Sequence, residues 1–249
     1  MPSLFWQVGL DTEALGAGDT TQLGLALPGF PYMAVGTNGR VAWSQTQLGG
    51  DITDWYAEEL VLDGDGRPDA TQFGGESRPL TAIEEQVVVA DVPLLGSTGR
   101  TETFERYVTA DGRFLVDMEG EVVDAGSDPA AVRMGNRFIV ASDQDGDGVI
   151  SAVSFDYTGL DPSGIVSTLD EWGHADTVAE IHTAARGLVA YSQNILAADR
   201  SGSIFYTGFQ AVPCRDYLDR NADGTWADGA DPTMLIDGTR YGSFTVVLD

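Results

Sequence analysis

The sequence predicts a sheet-dominated α+β fold, and three observations carry that expectation. Glycine is abundant, at 31 of 249 residues, and turn dipeptides recur at Asn38-Gly39, Asp65-Gly66, Asp111-Gly112, Asp147-Gly148 and Asp223-Gly224. Between them lie short runs of alternating or β-branched residues, at 35–46, 83–92, 114–123, 138–141, 149–157, 195–198 and 203–207. Short strands with regular turn signals make a sheet-rich fold. Third, helical periodicity is convincing in one stretch only, 175–188. There Val178, Ile181, Ala185 and Leu188 recur at helical spacing and Gly187 falls near the end. A second, shorter helix is expected from Asp161-Pro162 to about Leu169, and residues 219–231 read as loop.

Composition narrows the function classes. Hydrophobic residues make up 43%, so the chain is globular, and 249 residues suffice for one large domain or two small ones. No firm boundary is visible, and residues 1–249 read as a single domain. The formal net charge is −26, from 39 acidic and 13 basic residues. Such a field repels phosphate backbones, which argues against nucleic acid as a partner. It suits secreted or periplasmic proteins, salt-rich habitats and calcium binding. With Cys214 alone there is no intramolecular disulfide or cysteine metal cluster, and His174 and His182 cannot build a multi-histidine zinc site. No apolar run is long enough to span a bilayer. The first ten residues lack a basic region, so they are not a signal peptide; export as part of a larger precursor stays open.

Two segments carry chemistry. Residues 27–60 read as a Pro28-Gly29 turn, a strand at Val35, the Asn38-Gly39 hairpin turn, a return strand over 41–46, and a glycine-rich bend into Asp51-Ile52-Thr53-Asp54. Two carboxylates three apart, beside freed backbone carbonyls, could hold a hard cation such as calcium, or simply form a solvated acidic turn. Residues 193–215 read as strand, turn (199–202), strand. Asn194 opens the first of these strands, just after the amphipathic helix. Its carboxamide could donate to a developing oxyanion, a contact worth about two to three powers of ten in rate. Read from the residues alone, a structural asparagine that satisfies backbone groups is the simpler account.

Taken together the two segments resemble the penicillin acylase family, with its acyl-homoserine-lactone and aculeacin acylase relatives. The family pattern is P-G-x-P, then G-x-N-x-x-x-A-W-x-x-T, then G-x-D-x-x-D-x-Y-x-E. This chain has Pro28-Gly29-Phe30-Pro31, then Gly36, Asn38, Ala42, Trp43 and Thr46, then Gly49, Asp51, Asp54, Tyr56 and Glu58. Later come Gln193-Asn194, Ala198-Asp199, Gly202, Ile204, Tyr206, Pro213 and Arg215, matching Q/N-N-x-x-x-A-D-x-x-G-x-I/A-x-Y and P-x-R. Residues 152–162 and Asp237-Gly238-Thr239-Arg240 also look like family elements. Each block is weak alone; the ordered set is specific.

The resemblance implies an Ntn-hydrolase fold, an αββα sandwich of antiparallel sheets, present here incompletely. It implies hydrolysis of a linear amide that removes an acyl side chain from a penicillin-like, acyl-homoserine-lactone-like or lipopeptide-like substrate. In the family an N-terminal serine attacks the amide carbonyl with its own α-amine as base, which titrates near 8. The oxyanion roles fall on the Gln47 backbone N–H and the Asn194 side chain, with Arg215 orienting the asparagine or the substrate. Structural calcium would take Asp51, the Thr53 carbonyl and Asp54, with Asp199 a weaker fourth. Location would be periplasmic or secreted. The family nucleophile lies upstream of the P-G-x-P turn in a motif like S-N-x-W, and nothing here matches it; Ser3 sits too late. The chain is therefore expected to be an internal piece of a β-subunit whose partners are an α-subunit and the remaining β-subunit. On its own it is expected to be inactive. The competing expectation is a non-catalytic, calcium-stabilised acylase-like binding module.

Other sites are weaker. Asp143, Asp145, Asp147 and the Val149 carbonyl sit at the first ligand positions of an EF-hand loop, but Ser154 stands where a bidentate glutamate belongs and the flanks read as strands. Asp219, Asn221 and Asp223 are a fainter version. A Ser/His/Asp triad through Ser44 or Ser192 has no supporting spacing, G-x-S-x-G does not occur, and Cys214 reads as a buried thiol.

Overall fold

The computed structural model describes residues 4–16, 18–29, 32–160 and 164–246. Strand accounts for 47% of the chain and helix for 11%, as the turn-rich sequence leads one to expect. The chain divides into two compact units, residues 1–52 with 157–214 and 246–249, and residues 53–156 with 215–245.

The first unit is built on an antiparallel six-stranded sheet. Its strands run in spatial order Trp6–Asp11, Thr21–Ala26, Met33–Thr37, Val41–Gln47, Gln193–Asp199 and Ile204–Phe209. Alternation along the central pair decides which face is covered. Val41, Trp43, Ile195 and Ala197 are buried, whereas Ala42, Leu196 and Ala198 between them are exposed. The buried face packs against helices α1 (Ile165–His174) and α2 (Val178–Ala184) through Leu169, Trp172 and Ile181, and Leu188 just beyond them joins the same core. Full burial of each such side chain contributes about 1.5–3 kcal/mol. A 3-10 turn, Ala185–Gly187, follows α2, so the helix expected over 175–188 is shorter at both ends. Its start is fixed by a capping box between Thr177 and Glu180. For the other expected helix, Asp161 and Pro162 lie outside the described residues, and α1 runs past Leu169 to His174.

Asn38 ties the hairpin to α1. Its Oδ1 accepts from the Arg40 and Val41 N–H groups at 2.9 Å each, and its Nδ2 donates to the Gly173 and Ala175 carbonyls at 3.1 and 2.7 Å. A buried carboxamide with every polar valence satisfied is a structural asparagine. Gly39 beside it sits at φ 79°, where a side chain would be strained.

In the second unit the main sheet runs in the order Glu76–Pro79, Pro68–Phe73, Thr53–Leu62, Ile150–Tyr157, Phe114–Met118, Arg100–Val108 and Thr81–Val89, and Ile236–Asp237 lies parallel to Thr53–Leu62. A three-stranded sheet, Gly120–Val123, Arg137–Ala141 and Val132–Met134, shares a core of Leu60, Tyr107, Leu115, Val132 and Ile139 with it. Thr53–Leu62 was not legible as a strand. Its inward positions are Asp54, Tyr56, Glu58 and Leu60, so the buried face is half charged and the usual apolar alternation is absent.

Candidate active site

Asn194 and Gln47 do come together. The two strands carrying them pair antiparallel, Gln193 opposite Gln47 and Asn194 opposite Thr46. Asn194 Nδ2 donates to the Gln47 carbonyl at 3.2 Å, and its Oδ1 accepts from the Tyr206 hydroxyl at 2.7 Å. The ladder also orients the Gln47 peptide. Leu48 N–H donates to the Ser192 carbonyl at 2.9 Å, and alternation in an antiparallel pair then turns the Gln47 N–H away from the Gln193–Asp199 strand. Downstream, Ser192 Oγ accepts from Gly50 N–H at 2.7 Å and fixes the glycine-rich bend. Ser192 also faces Gln210 rather than a histidine.

Gln47 and Gln193 help wall an apolar cavity of about 350 Å³, together with Phe5, Leu27, Ile165 and Leu169. Asn194 itself projects from the opposite face, the one that carries Leu196 and Ala198, so the Gln47 peptide is what the carboxamide and the apolar recess have in common. A carboxamide donor and a turned backbone amide can together hold a developing negative charge.

Arg215, expected to orient the asparagine or the substrate, pairs with Asp54. In the second unit its Nη2 lies 2.6 Å and its Nε 3.0–3.1 Å from the carboxylate of Asp54, which is fully buried. This is a bidentate guanidinium–carboxylate pair. A cation ligated by Asp54 would have to share or displace it. Thr53 opens the same strand and Asp51 belongs to the first unit. Two tyrosines sit nearby, with Tyr56 and Tyr217 hydroxyls 2.8 Å apart. Burial pushes the Tyr56 phenol far up and that of Tyr217 to about 12, so neither supplies a phenolate base in neutral water.

Two strand positions on, Glu58 is buried with Arg113 Nη1 2.9 Å away, and Ser154 Oγ donates to it. Arg113 also pairs with Asp111 at 3.1 Å and stacks over Tyr56 at 4.3 Å. Burial raises the Glu58 carboxyl above its usual range, while Arg113 and Ser154 pull it down. Gly238 belongs to this cluster: a Cβ there would fall 2.6 Å from the Ala57 carbonyl and 2.7 Å from Glu58 Oε2.

The remaining candidates resolve as local structure. Asp143 accepts Gly146 and Gly148 N–H groups, and Glu119 accepts from Gln144, Asp145 and Ser151. Glu119, Asp143 and Asp145 bring ligand oxygens within 4.8 Å of one another. Glu119 was invisible to spacing because it comes from a separate segment 24 positions before Asp143. Asp199 accepts Ser201, Ser203 and Val178 N–H groups. His174 faces Thr20 and Asp170, His182 lies against the Phe205 ring, and Cys214 is half-buried. Among the described residues no helix is long and apolar enough to cross a membrane.

Comparison with known proteins shows what the chain is similar to. The sequence model of the family described as penicillin amidase matches residues 1–243. The penicillin acylase 2 proenzyme of Pseudomonas sp. (strain SE83) is 26% identical over 189 residues, which cover 76% of this chain and 19% of that protein. A thermostable penicillin G acylase from Alcaligenes faecalis, solved in an orthorhombic form, is similar in fold with a TM-score of 0.60 at 20% identity, over 99% of this chain and 34% of that one. The chain therefore spans about a fifth of the curated relative's length and a third of the solved chain. With a family match running through nearly the whole sequence, the chain belongs to the penicillin amidase family.

Proposed function

We propose that these residues form the oxyanion-stabilising part of a linear-amide hydrolase, within an αββα Ntn-hydrolase architecture in which both units belong to one partial domain. The observation that carries the reading is the meeting of Asn194 with the Gln47 peptide, and Gln47 also borders an apolar cavity. The substrate is a small acyl amide of penicillin, acyl-homoserine-lactone or lipopeptide type. Its acyl chain lies toward the cavity walled by Phe5, Leu27, Ile165 and Leu169. As the carbonyl carbon becomes tetrahedral, its oxygen gains charge and takes hydrogen bonds from the Gln47 N–H and Asn194 Nδ2. The attacking hydroxyl belongs to an N-terminal serine on polypeptide beyond these 249 residues, and its α-amine takes the proton. The remainder of the acylase precursor is the partner, and the setting is periplasmic or secreted.

The test compares the chain alone with the chain joined to the serine-bearing segment and remainder of a family precursor, using a chromogenic acyl anilide. The expected result is turnover only in the joined form. Equal turnover by the chain alone would overturn the assignment of the nucleophile, and an inactive joined form that is folded and processed would overturn the reading altogether.

A second reading, a non-catalytic acylase-like module stabilised by calcium, draws on the convergence of Glu119, Asp143 and Asp145. It predicts a Tm that climbs by several degrees with calcium and falls with chelator. Calcium at Asp51, the Thr53 carbonyl and Asp54 belongs to either reading, with Asp54 shared with Arg215.

A further inference from the structure

We infer that Tyr206 is the positioning residue for Asn194, holding its carboxamide in the orientation that presents an N–H to the oxyanion. This deepens, and rests on, the oxyanion reading of Asn194. The geometry begins with hairpin register. The turn after Asp199 is pinned by the Asp199 carboxylate accepting the Ser201 and Ser203 N–H groups, with Gly202 at φ 88°. That turn pairs Asn194 with Gly208 and Leu196 with Tyr206. Tyr206 is thus the diagonal neighbour of Asn194 on the same face, a separation that an aromatic side chain can bridge. Gly208, directly opposite Asn194, has no side chain to stand between them. Slipping the register by one residue would send Tyr206 to the other face.

The hydrogen bonds then select one orientation of the amide. The Gln47 carbonyl can only accept, so Nδ2 must face it, and the bond is 3.2 Å. Oδ1 is left facing Tyr206, whose hydroxyl donates at 2.7 Å. Turning the amide over would set two acceptors, Oδ1 and the Gln47 carbonyl, against each other. With Oδ1 engaged, Nδ2 keeps one further proton for a substrate oxygen. Tyr206 itself is 63% exposed, so its hydroxyl acts here without serving the core.

The experiment has two arms. In the uniformly ¹⁵N-labelled chain, Asn194 is one of only four asparagines, so its side-chain NH₂ pair is identified by its loss in Asn194→Ala. Tyr206→Phe should shift that pair and speed its exchange with water while backbone amide signals stay in place. In the complete, processed acylase containing these residues, Tyr206→Phe should lower kcat roughly tenfold, the worth of one hydrogen bond, with KM little changed. Unmoved Asn194 side-chain signals in Tyr206→Phe would overturn the inference. So would unchanged kcat in Tyr206→Phe where Asn194→Ala is slow. If Asn194→Ala itself turns over normally, the oxyanion reading fails and takes this inference with it, which separates the two failures.

Discussion

At the scale of single residues, the polar contacts of this chain divide into those that spacing announces and those it hides. The contact of Asn194 with Gln47 was foreshadowed because each sits at a fixed offset within an ordered motif. The partners of Arg215 and Glu58 were not, because Asp54 and Arg113 meet them across sheet positions far apart in sequence. Asn38, which shares a motif with the site, is structural instead: both ends of its carboxamide are used by backbone groups. The Glu58–Arg113 pair yields a sharp prediction. Arg113→Met leaves a carboxylate buried without its counter-charge and should cost about 3–5 kcal/mol near neutral pH. Burial already raises the folded pKa of Glu58, so its folded form binds more protons than the unfolded form and its contribution worsens as pH rises through the ordinary carboxylate range. Losing Arg113 raises that pKa further and also releases Asp111, whose carboxyl Arg113 helps hold down. The deficit of Arg113→Met should therefore shrink as pH is lowered toward about 4.5. Urea melts at both pH values check it; a deficit that grows on acidification contradicts it.

Among the elements, the hairpin around Gln193–Asp199 was read correctly from β-branched runs and a glycine turn, and so was the return strand Val41–Gln47. Thr53–Leu62 escaped because its inward face carries two carboxylates, and Thr21–Ala26 because its covered positions include Gln22 while Leu23 and Leu25 face outward. Hydrophobic alternation reports strands only where the buried face is apolar. The hairpin turn is itself testable. A Cβ at Gly202 would meet nothing within 4 Å, yet φ is 88°. Gly202→Ala should then cost about 1 kcal/mol from backbone strain alone. A denaturant midpoint equal to wild type would show that the turn does not constrain the register.

Across the whole molecule, charge is the dominant global property. A net −26 on 249 residues pushes the folded state apart, and salt screens that repulsion. Raising sodium chloride from about 10 mM to about 1 M shortens the Debye length from roughly 30 to 3 Å and should raise the Tm. A salt-independent Tm would mean that the charges are already compensated. The sheet-rich character was legible from the turn-punctuated runs and the family from the order of the motifs over nearly the full chain, and the family match over residues 1–243 agrees. Which side chain holds Asn194 was not, because Tyr206 appears in the motif without a role and acquires one only through hairpin register.

The central claim is that Asn194 stabilises an oxyanion, and one comparison tests it most directly: steady-state kinetics of the complete, processed enzyme with and without Asn194→Ala. The carboxamide is half-exposed at a strand end, so its loss should leave folding and KM nearly unchanged. The expected fall in kcat is about 10²–10³-fold, the loss of one oxyanion donor. A kcat within about twofold of wild type, well under 1 kcal/mol in barrier height, would contradict it.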